Sequence, residues 1–72
     1  MLKNRQIIKK ELKETNLISE SEVEFKVEYD HENRLIVWVH PNQIQNALTA
    51  AQEIGYSQSK ELAPFNKIQL IK

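Results

Sequence analysis

Apolar and charged residues alternate strictly from Glu22 to Tyr29. Val23, Phe25, Val27 and Tyr29 stand between Glu22, Glu24, Lys26 and Glu28, the period of a strand with one buried and one wet face. The spacing predicts a strand over 22–29. Leu35 to Val39 is apolar at every position and predicts a second strand, 34–39, with apolar side chains on both faces. Between them, Asp30-His31-Glu32-Asn33 reads as a turn. Asp suits the first turn position, and Asn tolerates the left-handed conformation of a three-residue hairpin with a bulge.

The length of that turn decides the register. A three-residue bulged turn pairs Tyr29 with Leu35, Val27 with Val37 and Phe25 with Val39. It leaves Ile36 and Trp38 on the opposite face among Glu24, Lys26 and Glu28. A two-residue turn shifts every side chain to the other face and sets Leu35, Val37 and Val39 among the charges, so the bulged register is expected.

The 3.6-residue period appears twice. Lys3 to Thr15 is rich in Lys, Glu, Gln and Leu, good helix formers, and predicts a helix over 3–15. Ile8 and Leu12 share one face with Ile7 beside them, a narrow stripe for a core helix. Asn16 fits a left-handed cap, with Leu17 packing back over the end. Pro41 ends the second strand. Asn42 reads as an N-cap with Gln45 in the capping-box position, opening a helix over 42–54. Ile44, Ala47, Leu48, Ala51 and Ile54 trace its apolar face. Gly55, the only glycine, stops it, and Tyr56 can pack back near Ala51 as in a Schellman cap. Ser57–Ala63 reads as a loop. Pro64 opens a last strand, 65–71, in which Ile68 and Leu70 share a face.

The order is helix, strand, strand, helix, strand. One α+β domain over 1–72 follows, an α-β-β-α-β chain with a three-stranded sheet and helices mainly on one face.

Residues 23–56 resemble the second half of a ferredoxin-like domain of the heavy-metal-associated type. Val27-Glu28-Tyr29-Asp30 is similar to that family's strand and turn, and Ile44…Ala47-Leu48…Ile54-Gly55-Tyr56 to its second helix. Only Met1 and Leu2 precede the first helix, so the family's first strand is missing, as is its metal-binding Cys-x-x-Cys. The resemblance implies the fold without the metal transfer. It also implies a vacant slot beside the second strand, to be filled by the chain's own last strand or by a strand from another chain.

Composition narrows the function classes. At 72 residues and 40% apolar, the chain has room for one small globular domain. Such domains often gain stability by self-association. No apolar run exceeds Leu35–Val39, so no membrane span is expected, and the charged start lacks a signal peptide's apolar stretch. A cytoplasmic protein is expected, and the initial Met suggests a whole gene product. Without cysteine there is no disulfide or thiolate chemistry. Ten basic residues balance ten acidic ones, but unevenly. Residues 1–15 carry a net +3, 16–33 a net −5 and the remainder +2, which suggests attraction between the first two segments.

Little chemistry is in prospect. His31 and His40 fall at opposite ends of the second strand, roughly 30 Å apart at about 3.3 Å per residue, too far to share a metal ion. Both read as exposed turn residues. The carboxylates lie on a wet strand face or a turn, where nothing separates their pKa values for acid–base work. The serines have no neighbouring histidine, and one glycine cannot build a phosphate loop. No catalytic residue, metal site or cofactor is expected.

The sequence therefore predicts a non-catalytic protein-interaction module, self-associating through the open sheet face. Ile36 and Trp38 form its centre, and Lys26, Glu24 and Glu28 its rim. The alternative for that face is that the first helix covers it with Ile7, Ile8 and Leu12. The competing function is nucleic-acid binding by Trp38 and the basic first helix, with Lys3, Arg5, Lys9, Lys10 and Lys13 on phosphates. Glu24 and Glu28 oppose it.

Overall fold

The computed structural model describes residues 3–18, 25–62 and 66–72. Their order is α1 (Arg5–Glu14), β1 (Lys26–Tyr29), β2 (Leu35–Trp38), a 3₁₀ turn (Pro41–Gln43), α2 (Ile44–Glu53), β3 (Lys60–Leu62) and β4 (Lys67–Gln69). The class is α+β, as the pattern predicts, but the sheet has four strands rather than three, ordered β1-β2-β4-β3 and antiparallel throughout. The predicted start of the first strand at 22–24 and that of the last at Phe65 lie outside the described residues.

The extra strand is β3, in the segment expected to be a loop. It forms a hairpin with β4, with Glu61 opposite Ile68. The hairpin returns β4 antiparallel to β2, with Val37 opposite Ile68. The chain thus fills the place beside β2 with its own last strand.

The first hairpin has the bulged register. Tyr29 faces Leu35 and Val27 faces Val37. Asn33 takes φ 62°, the left-handed position that the turn requires. Asp30 fixes the turn from within. Its carbonyl accepts from the Asn33 amide at 2.9 Å, and its Oδ1 accepts from the amides of Glu32 and Arg34.

Both helices pack on one side of this sheet. Ile8 and Leu12 of α1 and Ile44, Ala47, Ala50 and Ala51 of α2 share a core with Phe25, Val27, Leu35, Val37, Val39, Ile68 and Leu70. Full burial of each large side chain is worth about 1.5–3 kcal/mol. Ile7 turns outward, half exposed. Helix α1 therefore joins the core layer and leaves the face of Ile36 and Trp38, contrary to the alternative that it covers them. The Tyr29 hydroxyl donates to the Lys3 carbonyl at 2.8 Å, tying the start of α1 to the end of β1.

The caps are specific. Asn4 accepts from the Gln6 amide at 2.7 Å and begins α1. Asn16, at φ 62°, follows its end, and its amide donates to the Lys13 carbonyl. At the end of α2 the Gly55 amide donates to Gln52 O at 3.1 Å and the Tyr56 amide to Ala51 O at 2.9 Å, the two bonds of a Schellman motif. The start of α2 differs from expectation. Asn42 lies inside the 3₁₀ turn, and His40 caps it, Nδ1 accepting from the Asn42 amide at 3.2 Å. Proline at the first position of the turn favours this tighter entry, so Asn42 and Gln45 form no capping box.

Candidate functional site: the open sheet face

Because side chains alternate along a strand, sending Leu35, Val37 and Val39 into the core sends Ile36 and Trp38 to the other side. Two rows cross that side in register. Lys26, Trp38, Lys67 and Leu62 form one, and Glu28, Ile36, Gln69 and Lys60 the other. No helix among the described residues lies over them.

Ile36 is nonetheless only 5% exposed, although it is outside the helix-covered core. Its cross-strand neighbours on this face are Glu28 and Gln69, residues whose long side chains can lay apolar stems over a sheet while keeping their polar ends in water. The Lys67 ammonium lies 4.8 Å from the centre of the Trp38 ring, within the range of an attractive cation–π contact. Trp38 remains partly exposed. A shallow cleft of about 120 Å³ runs between Glu28, Arg34, Ile36, Trp38, Leu62 and Lys67. That is well below the roughly 300 Å³ of a small-molecule site. The surface suits a flat partner better than an enclosed substrate.

Charge on this face is mixed but mainly positive. Lys26, Lys60, Lys67 and Arg34 stand against Glu28 and Asp30. Asp30 is engaged by Arg34, whose Nε lies 2.8 Å from Oδ2. Desolvation works to raise the Asp30 carboxyl. Hydrogen bonds from the Arg34 amide and guanidinium and the Glu32 amide, with the Arg34 charge, outweigh it and hold Asp30 below its ordinary value. The same pair raises Arg34.

Of the predicted interface, Ile36, Trp38, Lys26 and Glu28 come together here, and Glu24 lies outside the described residues. The basic residues of α1 belong to the helical layer on the other side of the sheet. Lys3 pairs with Glu11, whose hydrogen bond raises its pKa. Lys9 lies 5.2 Å from the Phe25 ring centre. One nucleic-acid strand would have to round the β1 edge to touch both Trp38 and α1. The expected attraction between the first two segments falls partly on Glu20, Glu22 and Glu24, outside the described residues. His31 is exposed beside Glu32, and no cluster able to hold a metal ion occurs among the described residues. No described helix is long and apolar enough to cross a membrane.

Sequence reasoning missed Leu62 and Lys60 as parts of this face because it did not find β3, and it left out Lys67 although the strand expected over 65–71 contains it. The available signal was Pro64 and Asn66, turn residues between two short segments.

No family model, curated protein or solved structure matches this chain, so its function has to be read from its own surfaces.

Proposed function

We propose that this chain is a small, non-catalytic protein-binding module that works through the open sheet face, with a second copy of itself as first partner. The observation that carries the reading is Trp38, partly exposed beside a buried Ile36 on the side of the sheet that both helices leave. Aromatic anchors ringed by charge commonly dominate interface energy. A standard interface takes about 800 Å² from each partner, a modest share of this chain's 4811 Å². The mixed rim supports self-pairing, since Glu28 and Asp30 of one copy can meet Lys60 and Lys67 of another. Sedimentation equilibrium tests the proposal. The parent chain should form a dimer, and Trp38→Ala should weaken it by about thirtyfold or more, from about 2 kcal/mol at such an anchor, with an unchanged circular dichroism spectrum. A monomer at millimolar concentration would overturn self-association.

A second reading is favoured by one observation: Trp38 stands between Lys26 and Lys67 in the register, a ring flanked by cations as in single-strand binding. A labelled oligothymidylate or oligouridylate would then quench Trp38 emission. Its affinity would fall steeply with salt, as phosphate contacts require.

A further inference from the structure

The sheet has a second unused surface, the outer edge of β1. The Asp30 amide donates to Arg34 O at 3.0 Å, which makes Asp30 and Arg34 a hydrogen-bonded pair. Along an antiparallel ladder such pairs alternate. Glu28–Ile36 and Lys26–Trp38 are therefore the bonded pairs, whereas Val27 and Tyr29 direct their amides and carbonyls away from β2. Among the described residues nothing pairs with those groups.

A trough runs along this edge. A groove of about 170 Å³ is lined by Arg5, Gln6, Lys9, Lys26, Val27 and Glu28. It continues into a wider concavity bounded by Arg5, Gln6 and Tyr29. One wall is α1 and the other is the margin of the open face. The four residues of β1 give it a length of about 13 Å, at about 3.3 Å per residue. Its charged lining is three cations, Arg5, Lys9 and Lys26, against Glu28.

We propose that this trough accepts an acidic, extended peptide segment of a partner protein, added antiparallel to β1 as a fifth strand. Main-chain bonds to Val27 and Tyr29 supply the affinity, and charge supplies the selection. Residues opposite each other across a ladder point to the same face. Peptide residues opposite Val27 and Tyr29 therefore point toward α1, where the exposed Arg5 favours carboxylates. The alternate residues lie beside Lys26 and Glu28 and suit neutral polar side chains. A second copy paired edge to edge is the competing occupant, and it can set Lys26 against Glu28 of its partner. It would also bring the Arg5 side chains of both helices to the same side of the joined sheet, and that like-charge approach selects the acidic strand instead.

The test uses the full chain and an acetylated, amidated heptapeptide of alternating Glu and Thr, followed by amide NMR at physiological salt. Binding should shift the Val27 and Tyr29 amides and protect them from exchange. Arg5→Glu, at an exposed helix position, should weaken binding about tenfold or more. N-methylation of the Glu residues, whose amides face β1, should abolish binding, whereas N-methylation of the Thr residues should not. Equal binding of the two methylated peptides would reduce the contact to unspecific charge attraction and overturn the proposal. So would unshifted Val27 and Tyr29 amides, or a dimer in which these amides are protected without peptide. Trp38→Ala leaves this trough intact, so loss of face-mediated association and loss of peptide binding are separable.

Discussion

Gly55 offers a clean test of how the backbone sets stability here. It holds φ +105° after α2, and a Cβ built on it meets no atom within 4 Å. Steric conflict with neighbours is therefore absent, and the cost of Gly55→Ala is conformational. An L-residue in a left-handed position costs about 1–2 kcal/mol, and φ +105° lies beyond the left-handed well near +57°, toward the upper end of that range or past it. Alanine also reduces the freedom of the unfolded chain, which returns about 0.4–1 kcal/mol where the native conformation is compatible. The net expectation is a loss of about 1–2 kcal/mol. Against a total of roughly 4–11 kcal/mol for a domain of this length, the loss is large. It lowers the melting temperature by about 4–16 °C, at about 4–8 °C per kcal/mol.

Urea unfolding followed by far-ultraviolet circular dichroism measures this directly. The midpoint should fall while the slope stays constant, since the surface exposed on unfolding is unchanged. At 72 residues the chain is accessible to chemical synthesis, which permits D-alanine at position 55. The D-residue prefers positive φ and restricts the unfolded chain, so it should match glycine or exceed it by about 0.5–1 kcal/mol. If L- and D-alanine gave the same midpoint, the strain argument would fail, and with it the Schellman cap as the element that stops α2.

Three further expectations follow from turns and caps. His40→Ala should cost about 0.5–2 kcal/mol, the usual value of a helix cap, and His40→Asn should restore most of it; equal urea midpoints for His40→Ala and the parent would refute the cap. Asn33→Ala should lose about 1 kcal/mol at φ 62°, whereas Asn33→Gly should stay within a few tenths in the same assay. Asp30 has a folded pKa below its unfolded one, so its contribution is present above pH about 4 and is lost as pH falls through the folded value. Asp30→Asn should therefore destabilise the chain at neutral pH and flatten its acid stability profile below pH about 4; parallel profiles for variant and parent would exclude this linkage.

The parts legible in the sequence are those where one local rule dominates. Alternation and a turn with Asn at its left-handed position gave the hairpin register of Val27 with Val37 and Tyr29 with Leu35. A lone glycine after an apolar 3.6-residue stripe gave the end of α2. Strand β3 was not legible because its side chains carry no alternation: Lys60 and Glu61 are both exposed, and the strand forms by pairing its backbone with β4 at a sheet edge. A charged, three-residue edge strand is also a normal means of blunting an edge, which hides it from any pattern based on burial. The side chosen by α1 was equally obscure. Ile8 and Leu12 make a stripe that fits either face, and the choice comes from tertiary contacts with Phe25, Val27 and α2. His40 was missed as a cap because its acceptor lies on a ring nitrogen, outside the usual Ser, Thr, Asp and Asn set.

The two proposed surfaces meet at one margin. Lys26 and Glu28 flank Trp38 and Ile36 on the sheet face, and they also line the trough beside α1. A strand held on the β1 edge would place its alternate side chains beside these two residues, inside the charged rim that a face partner uses. The threonines of the heptapeptide would crowd Lys26 there and restrict its reach toward a face partner. Coupling between binding sites is reciprocal by thermodynamic necessity. The acidic heptapeptide should therefore weaken face-mediated dimerisation by the same factor by which dimerisation weakens peptide binding. Lys26→Gln should shrink that factor, since it removes the rim charge that the bound strand crowds, while Lys67→Gln, on the far side of Trp38, should leave it unchanged. Sedimentation equilibrium with and without the peptide measures the factor directly. Dimerisation indifferent to saturating peptide would mean that the face and the edge work as independent surfaces.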